Sequence, residues 1–134
     1  MNVVNKTSKY CVLALAAFAA VLLLSGSAFA HHGAAAYDNQ KPMTLTGTVT
    51  GFQFVNPHAI ISLDVKDASG KVVNWSGELT SPNHLTRYGW NKGTLKPGDQ
   101  ISITGSTSKA GSPTMWINKV VKGGTALPLS TAAN

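Results

Sequence analysis

This sequence is poor in the groups that most protein chemistry uses. Its 134 residues include one Cys and only five Asp and Glu together, and charged side chains make up 12%. One Cys excludes a disulfide framework and a Cys-rich zinc site. The five acidic residues, Asp38, Asp64, Asp67, Glu78 and Asp99, show no acid/base pairing in the sequence. There is no Gly-x-Ser-x-Gly elbow, phosphate loop or dinucleotide fingerprint. No block of like charge is present, which argues against a disordered acidic tail or a basic nucleic-acid arm. The longest apolar run, Cys11 to Leu24, has 14 residues, short of the roughly 20 that a spanning helix needs. The length allows one small domain.

What is present begins with a leader. Lys6 and Lys9 precede the apolar run, Ser25-Gly26-Ser27 interrupts it, and Ala28-Phe29-Ala30 fits the small-x-small cleavage rule. Residues 1–30 are therefore expected to be a signal peptide, and the protein periplasmic or secreted. The alternative is an uncleaved N-terminal anchor. Cys11 opens the apolar run instead of following it, so lipidation is not expected. Cleavage after Ala30 makes His31 the first residue. It removes the Cys and leaves nine basic against five acidic side chains, a net charge of +4. No membrane anchor is expected after cleavage, and a monomer is.

Past the leader, residues 31–42 carry neither a strand nor a helix period and read as an extended N-terminal arm. From Met43 to Val55 the residues alternate, with Leu45, Gly47 and Val49 on one face and Thr44, Thr46, Thr48 and Thr50 on the other. Period two with β-branched residues predicts a half-buried strand. Further strands are expected at His58–Lys66, Lys71–Leu79, Gln100–Thr107 and Thr114–Lys122. Asp67-Ala68-Ser69-Gly70 predicts a hairpin turn. Ser81 and Pro82 predict a short helix to Tyr88, with Ser as N-cap, Leu85 inward and Gly89 past the end. Residues 123–134 are rich in Gly, Ala and Ser and read as a flexible tail. Three strands, a short helix and two strands is the order of a small five-stranded OB-like barrel, so the fold class is mainly β with a barrel at 43–122. The alternative is an open sandwich.

Several pieces occur together in order: His31-His32-Gly33, Lys41-Pro42, Thr44-Leu45-Thr46-Gly47-Thr48-Val49, Asn56-Pro57-His58, and Trp75 with Glu78. Ser81-Pro82-Asn83 with Leu85, Gly89-Trp90 and Leu95-Lys96-Pro97-Gly98-Asp99 follow. The ordered set resembles a family of short exported bacterial proteins, the domain of unknown function DUF6152, over about residues 31–122. The resemblance implies an exported β-barrel-like domain and no established activity.

Two site hypotheses follow from the side chains. An N-terminal His31 offers its α-amine and Nδ1 to one metal ion, and a second imidazole from His58, His84 or His32 completes a three-nitrogen site. Such donors suit copper(II). Against this stands a His-His start that binds metal only adventitiously. A zinc site is less favoured without paired His spacing or Cys. Separately, Trp75, Glu78, His84 and Trp90 bracket the third strand and the helix as a candidate ligand pocket. Against that, Trp75 shares a face with Val73 and Leu79 and reads as core. Glu78, the only Glu, is out of phase with Trp75 and reads as facing solvent or Arg87. His58 also reads as a turn cap bonded to local backbone. Lys92, Lys96, Lys109, Lys119 and Lys122 make at most a modest basic face, and nucleic acid is not an expected partner. The expectation is a non-catalytic module that binds a small ligand or a periplasmic protein. Copper binding is the alternative, and a hydrolase with a clustered Glu78 and His84 is third.

Overall fold

The structure is a computed structural model in which residues 36–130 are described. The leader, His31, His32 and residues 131–134 lie outside the described residues.

Six strands and one helix follow in order: β1 (Tyr37–Gln53), β2 (Ile60–Lys66), β3 (Val72–Glu78), α1 (Pro82–Thr86), β4 (Gln100–Ser108), β5 (Thr114–Lys122) and β6 (Thr125–Leu127). The sheet order is β3-β2-β1-β4-β5-β6, and β3 also pairs with β5. That last pairing turns five strands into a near-closed ring. All ring contacts are antiparallel except β3 with β5, which is parallel. With the helix after β3, this is the connectivity of an OB-like barrel.

β1 can serve two neighbours because it bends. Its first part runs beside β4 as far as Thr48, and its last part runs beside β2 from Thr48 to Gln53. The register shifts between Val49 and Gly51, the extra residue of a bulge, which sharpens the local twist. The backbone groups of Val49 are satisfied elsewhere: its N–H donates to Asp99 O, and its carbonyl accepts from Gly98 N–H, both at 2.8 Å. Asp99 also accepts from Lys122 Nζ at 2.6 Å and from Lys96 N–H at 2.8 Å. The bond from Lys122, then that from the Lys96 amide, holds the Asp99 carboxyl below the usual carboxylate range.

The inward phase is the one the alternation predicts. Ile61, Leu63, Val65, Ile101 and Ile103 are buried. Leu79, Leu85, Trp90 and Leu95, from the end of β3, the helix and the loop after it, join the same buried core, and each fully buried side chain of this size stabilises by about 1.5–3 kcal/mol. The helix begins as expected: Ser81 Oγ accepts from His84 N–H at 3.3 Å, Pro82 occupies the first turn, and Gly89 has φ +87°. It ends at Thr86, short of Tyr88. On the outer face the Thr and Ser residues bond to one another across β1 and β4. Thr44 and Thr104 lie 2.8 Å apart, Thr46 and Ser102 2.7 Å, and Gln100 donates to Thr48 at 2.6 Å.

Two expectations need correction. The unpatterned arm becomes strand from Tyr37, with Tyr37 opposite Ser108 and Pro42 opposite Ser106. It shows no apolar period because its residues are mostly exposed and its order comes from backbone pairing. The tail is also tied down as far as it is described. β6 pairs with β5, and the carbonyls of Pro128 and Leu129 take hydrogen-bond contacts from Trp90 and His84.

Close strand approach needs glycine at β4. A Cβ on Gly105 would lie 2.0 Å from Trp116 O, a backbone atom that cannot swing away. A Cβ on Gly51 would meet only Ser62, at 3.7 Å. Gly105→Ala is expected to cost about 1–3 kcal/mol, and Gly51→Ala to stay within about 0.5 kcal/mol of the parent. Urea midpoints at unchanged slope check both.

Candidate functional site at the parallel seam

The seam between β3 and β5 consists of three pairs: Ser76 with Thr114, Gly77 with Met115, and Glu78 with Trp116. Gly77, Met115 and Ile117 face the core, so Glu78 and Trp116 stand side by side on the outer face. Two further segments bring rings to the same place. After β1 the chain turns through Asn56 and Pro57, whose peptide is cis. Ala59 then extends the β2–β3 ladder, its N–H donating to Thr80 O at 3.2 Å and its carbonyl accepting from Leu79 N–H at 2.8 Å. Ala59 is fully buried, so alternation turns His58 outward beside Glu78. Tyr37, at the start of β1, comes in from the β4 side.

Glu78 joins these rings. Its Oε1 contacts His58 Nδ1, and its Oε2 accepts from the Tyr37 hydroxyl at 3.0 Å. The His58 ring stands edge-on to the Trp116 indole, centroids 5.3 Å apart at 86°. Tyr37 packs against the same indole, tilted at 48°, with centroids 6.2 Å apart. The His58 and Glu78 side chains remain 31% and 25% exposed, so solutes can reach them. Burial, then the bond to Glu78 and that carboxylate's charge, pushes the Tyr37 phenol up to about 12.

Beyond Trp116 lies a hollow of about 240 Å³, lined by Leu79, Thr80, His84, Trp116, Ile117 and Leu129. His84 borders it, but its Nε2 contacts Leu129 O at 3.1 Å and its ring packs on Tyr88 at 5.1 Å. A wider trough of about 510 Å³ lies on the outer face, with Thr46, Thr48, Asp64, Lys66 and Gln100 among its lining. Its one carboxylate, Asp64, is already bonded by Asn74.

The sequence-derived pocket therefore divides. Glu78 belongs to the outer site, partnered by His58 and Tyr37 and not by Arg87 or His84. The local-backbone role expected of His58 gives way to the carboxylate contact. Trp90 is 2% exposed and donates its indole N–H to Pro128 O at 2.7 Å. Its ring stacks among Phe52 and the core, so it has no face to offer a ligand. Trp75 is partly buried and packs on the core. Glu78 and His84, the pair a hydrolase needed, have different partners. Among the described residues, no group of three or more His, Cys, Asp and Glu converges to hold a metal ion. Nor is any helix among them long and apolar enough to cross a membrane. Sequence reasoning missed Tyr37 and Trp116. Trp116 was legible in principle, as the large aromatic out of phase with Met115 and Ile117. Tyr37 carried no signal, since its stretch has no period.

The sequence matches a family of unknown function, DUF6152, over residues 19–116. The chain belongs to the DUF6152 family. No curated protein matches it. Among solved structures it is similar to part of TiaS in the TiaS–tRNA–ATP complex, at 19% identity and a TM-score of 0.46, covering 64% of this chain and 19% of that one. Apo TiaS, a tRNA agmatidine synthetase, is similar at 20% identity and 0.43, with coverages of 62% and 18%. A ZRD-deleted TiaS mutant with agmatine gives 18% and 0.41, with 69% and 25% covered. This DUF6152 chain thus spans a quarter or less of the proteins it resembles in shape.

The Tyr37 phenol makes a pH prediction. A raised phenol pKa contributes stability that is complete below about pH 10, the ordinary tyrosine value, and is lost as pH climbs through about 12. Ultraviolet titration should show a phenolate step near pH 12 that Tyr37→Phe abolishes. A step that survives the substitution rules out the assignment.

Proposed function

We propose that this chain is an exported, non-catalytic binding module whose recognition surface is the seam cluster of Tyr37, His58, Glu78 and Trp116. The observation that carries this reading is the double engagement of one carboxylate. Glu78 holds two aromatic side chains beside a third, and their exposed edges form a rigid platform next to a hollow. Held groups of this kind suit recognition, because their positions are fixed before a ligand arrives. The hollow of about 240 Å³ falls below the roughly 300–1,000 Å³ of drug-sized sites, which favours a small ligand. What favours binding over hydrolysis is that His58 and Glu78 satisfy each other.

Export is supported by the leader pattern in residues 1–30. The rest of the outer face supports placing recognition at the seam, since its hydroxyls are spent on one another along β1 and β4. Elsewhere, Lys122 is taken by Asp99, which reduces the basic face.

Amide NMR of the processed protein, titrated with a periplasmic small-molecule extract that keeps its metals, tests the reading. Shifts gathered around residues 37, 58, 78 and 116, and absent in Trp116→Ala, are expected. Shifts gathered instead around Thr46 and Asp64, or conversion of the ligand to products, would overturn it.

A further inference from the structure

The seam cluster offers a ligand mainly acceptors. Nδ1 of His58 meets the Glu78 carboxylate. A carboxylate oxygen accepts, so in the neutral ring Nδ1 carries the proton and Nε2 presents its lone pair. Among the described residues nothing hydrogen-bonds Nε2, and the side chain is partly exposed. A carboxylate on the far ring nitrogen fixes this tautomer and makes Nε2 more basic. The two Glu78 oxygens each have one protein partner, His58 and Tyr37, and each keeps a lone pair. The Tyr37 hydroxyl has its proton on Glu78. That leaves the Trp116 indole N–H as the outward donor among the four side chains.

The charge has one sign as well. With the imidazole and the phenol neutral, Glu78 is the one formal charge of the cluster. The raised Tyr37 phenol records the same negative field. The indole adds a ring whose face attracts cations.

The hollow adjoins this rim. Trp116, the β5 partner of Glu78, lines it, as do Leu79 and Thr80. Thr80 lies two residues beyond Glu78, at most about 7 Å along the chain, so one small molecule can reach both the carboxylate and the hollow. Leu79, Ile117 and Leu129 give the hollow apolar walls, and neither Lys nor Arg lines it. Its far side is tied down, because the Pro128 and Leu129 carbonyls are engaged by Trp90 and His84. A negative, accepting, aromatic rim beside a small apolar hollow fits a positive head with N–H donors on a short apolar tail. A carboxylate head would instead face Glu78 and a lone pair.

We propose that the seam site binds a small primary alkylammonium ion, its head at the edge formed by His58, Glu78 and Trp116 and its tail in the hollow. This deepens the binding-module reading and rests on it.

The experiment is an NMR titration of the processed protein with three probes that share a butyl tail: butylammonium, butanol and pentanoate. Amide signals locate each probe, and the imidazole nitrogen signals of His58 read the head. The same titrations are run on Glu78→Gln, Leu129→Ala and Asp64→Asn, with circular dichroism verifying that each variant is folded. Butylammonium is expected to shift the signals of residues 58, 78, 80 and 116, to move the His58 Nε2 resonance, and to bind roughly tenfold more tightly than butanol. Pentanoate should not saturate. Glu78→Gln should bring butylammonium to within about twofold of butanol by removing the charge-assisted part of binding. Leu129→Ala should weaken both, since both place the tail in the hollow. Asp64→Asn should leave butylammonium within about twofold, because that carboxylate lies in the separate trough and an exposed charge at a distance is screened. The proposal is overturned if butanol or pentanoate binds as tightly as butylammonium in the parent protein, whatever the variants do. It is equally overturned if butylammonium binds without moving His58 Nε2, or if Asp64→Asn weakens it as much as Glu78→Gln. If the probes fail while the periplasmic extract still shifts the seam residues, the binding module stands and the alkylammonium ligand falls; if both fail, both fall.

Discussion

The ring closes where β3 and β5 meet in parallel, and that meeting depends on residues without side chains. A Cβ on Gly77 would lie 2.3 Å from Ile117 Cδ1, and one on Gly105 would lie 2.0 Å from the Trp116 carbonyl. The two glycines therefore let Ile117 fill the interior and let β4 approach β5 at its bulge. The outer face follows from this inner constraint. Glu78 comes directly after Gly77 in β3, so its outward direction and its place beside Trp116 are consequences of how the core packs at the seam. His58 is set in the same way, turned out because Ala59 is turned in.

Polar chemistry on this domain is unevenly distributed. Along β1 and β4 the hydroxyls pair across the strands, an arrangement in which each rung contributes roughly 0.2–1 kcal/mol to the sheet. The richness in Thr is accounted for by that ladder. At the loop before β4, Asp99 is used to hold Lys122 and the turn. At the seam, in contrast, a carboxylate, an imidazole, a phenol and an indole converge while two of them keep a quarter or more of their side-chain surface open.

The parts legible in the sequence were those whose signal is local. Alternation in 43–55, 58–66 and 100–107 records which residues face the core, and the Ser81-Pro82 start records a helix N-terminus. Those two signals were enough for the order of elements and the barrel. The illegible parts depend on partners far along the chain. Tyr37 is ordered by Ser108 and Glu78, and nothing in its neighbours reports that. β6 is a three-residue strand whose order comes from β5, and its Gly-rich approach looks like a tail. His58 and Glu78 were each singled out, but twenty residues separate them. Only the extension of the β2–β3 ladder through Ala59 sets them side by side. Trp90 misled because its position after a helix stop resembles an exposed loop, whereas its backbone N–H bonds back to Leu85 O and its side chain joins the buried core.

The seam has three residue pairs, the fewest of any contact in the ring, and the cluster that spans it draws on four separate stretches of chain. The rings of His58 and Tyr37, both held by Glu78 of β3, pack on Trp116 of β5, so side chains span the shortest pairing of the wall. The outer surface at the seam and the closure of the ring therefore depend on the same four residues.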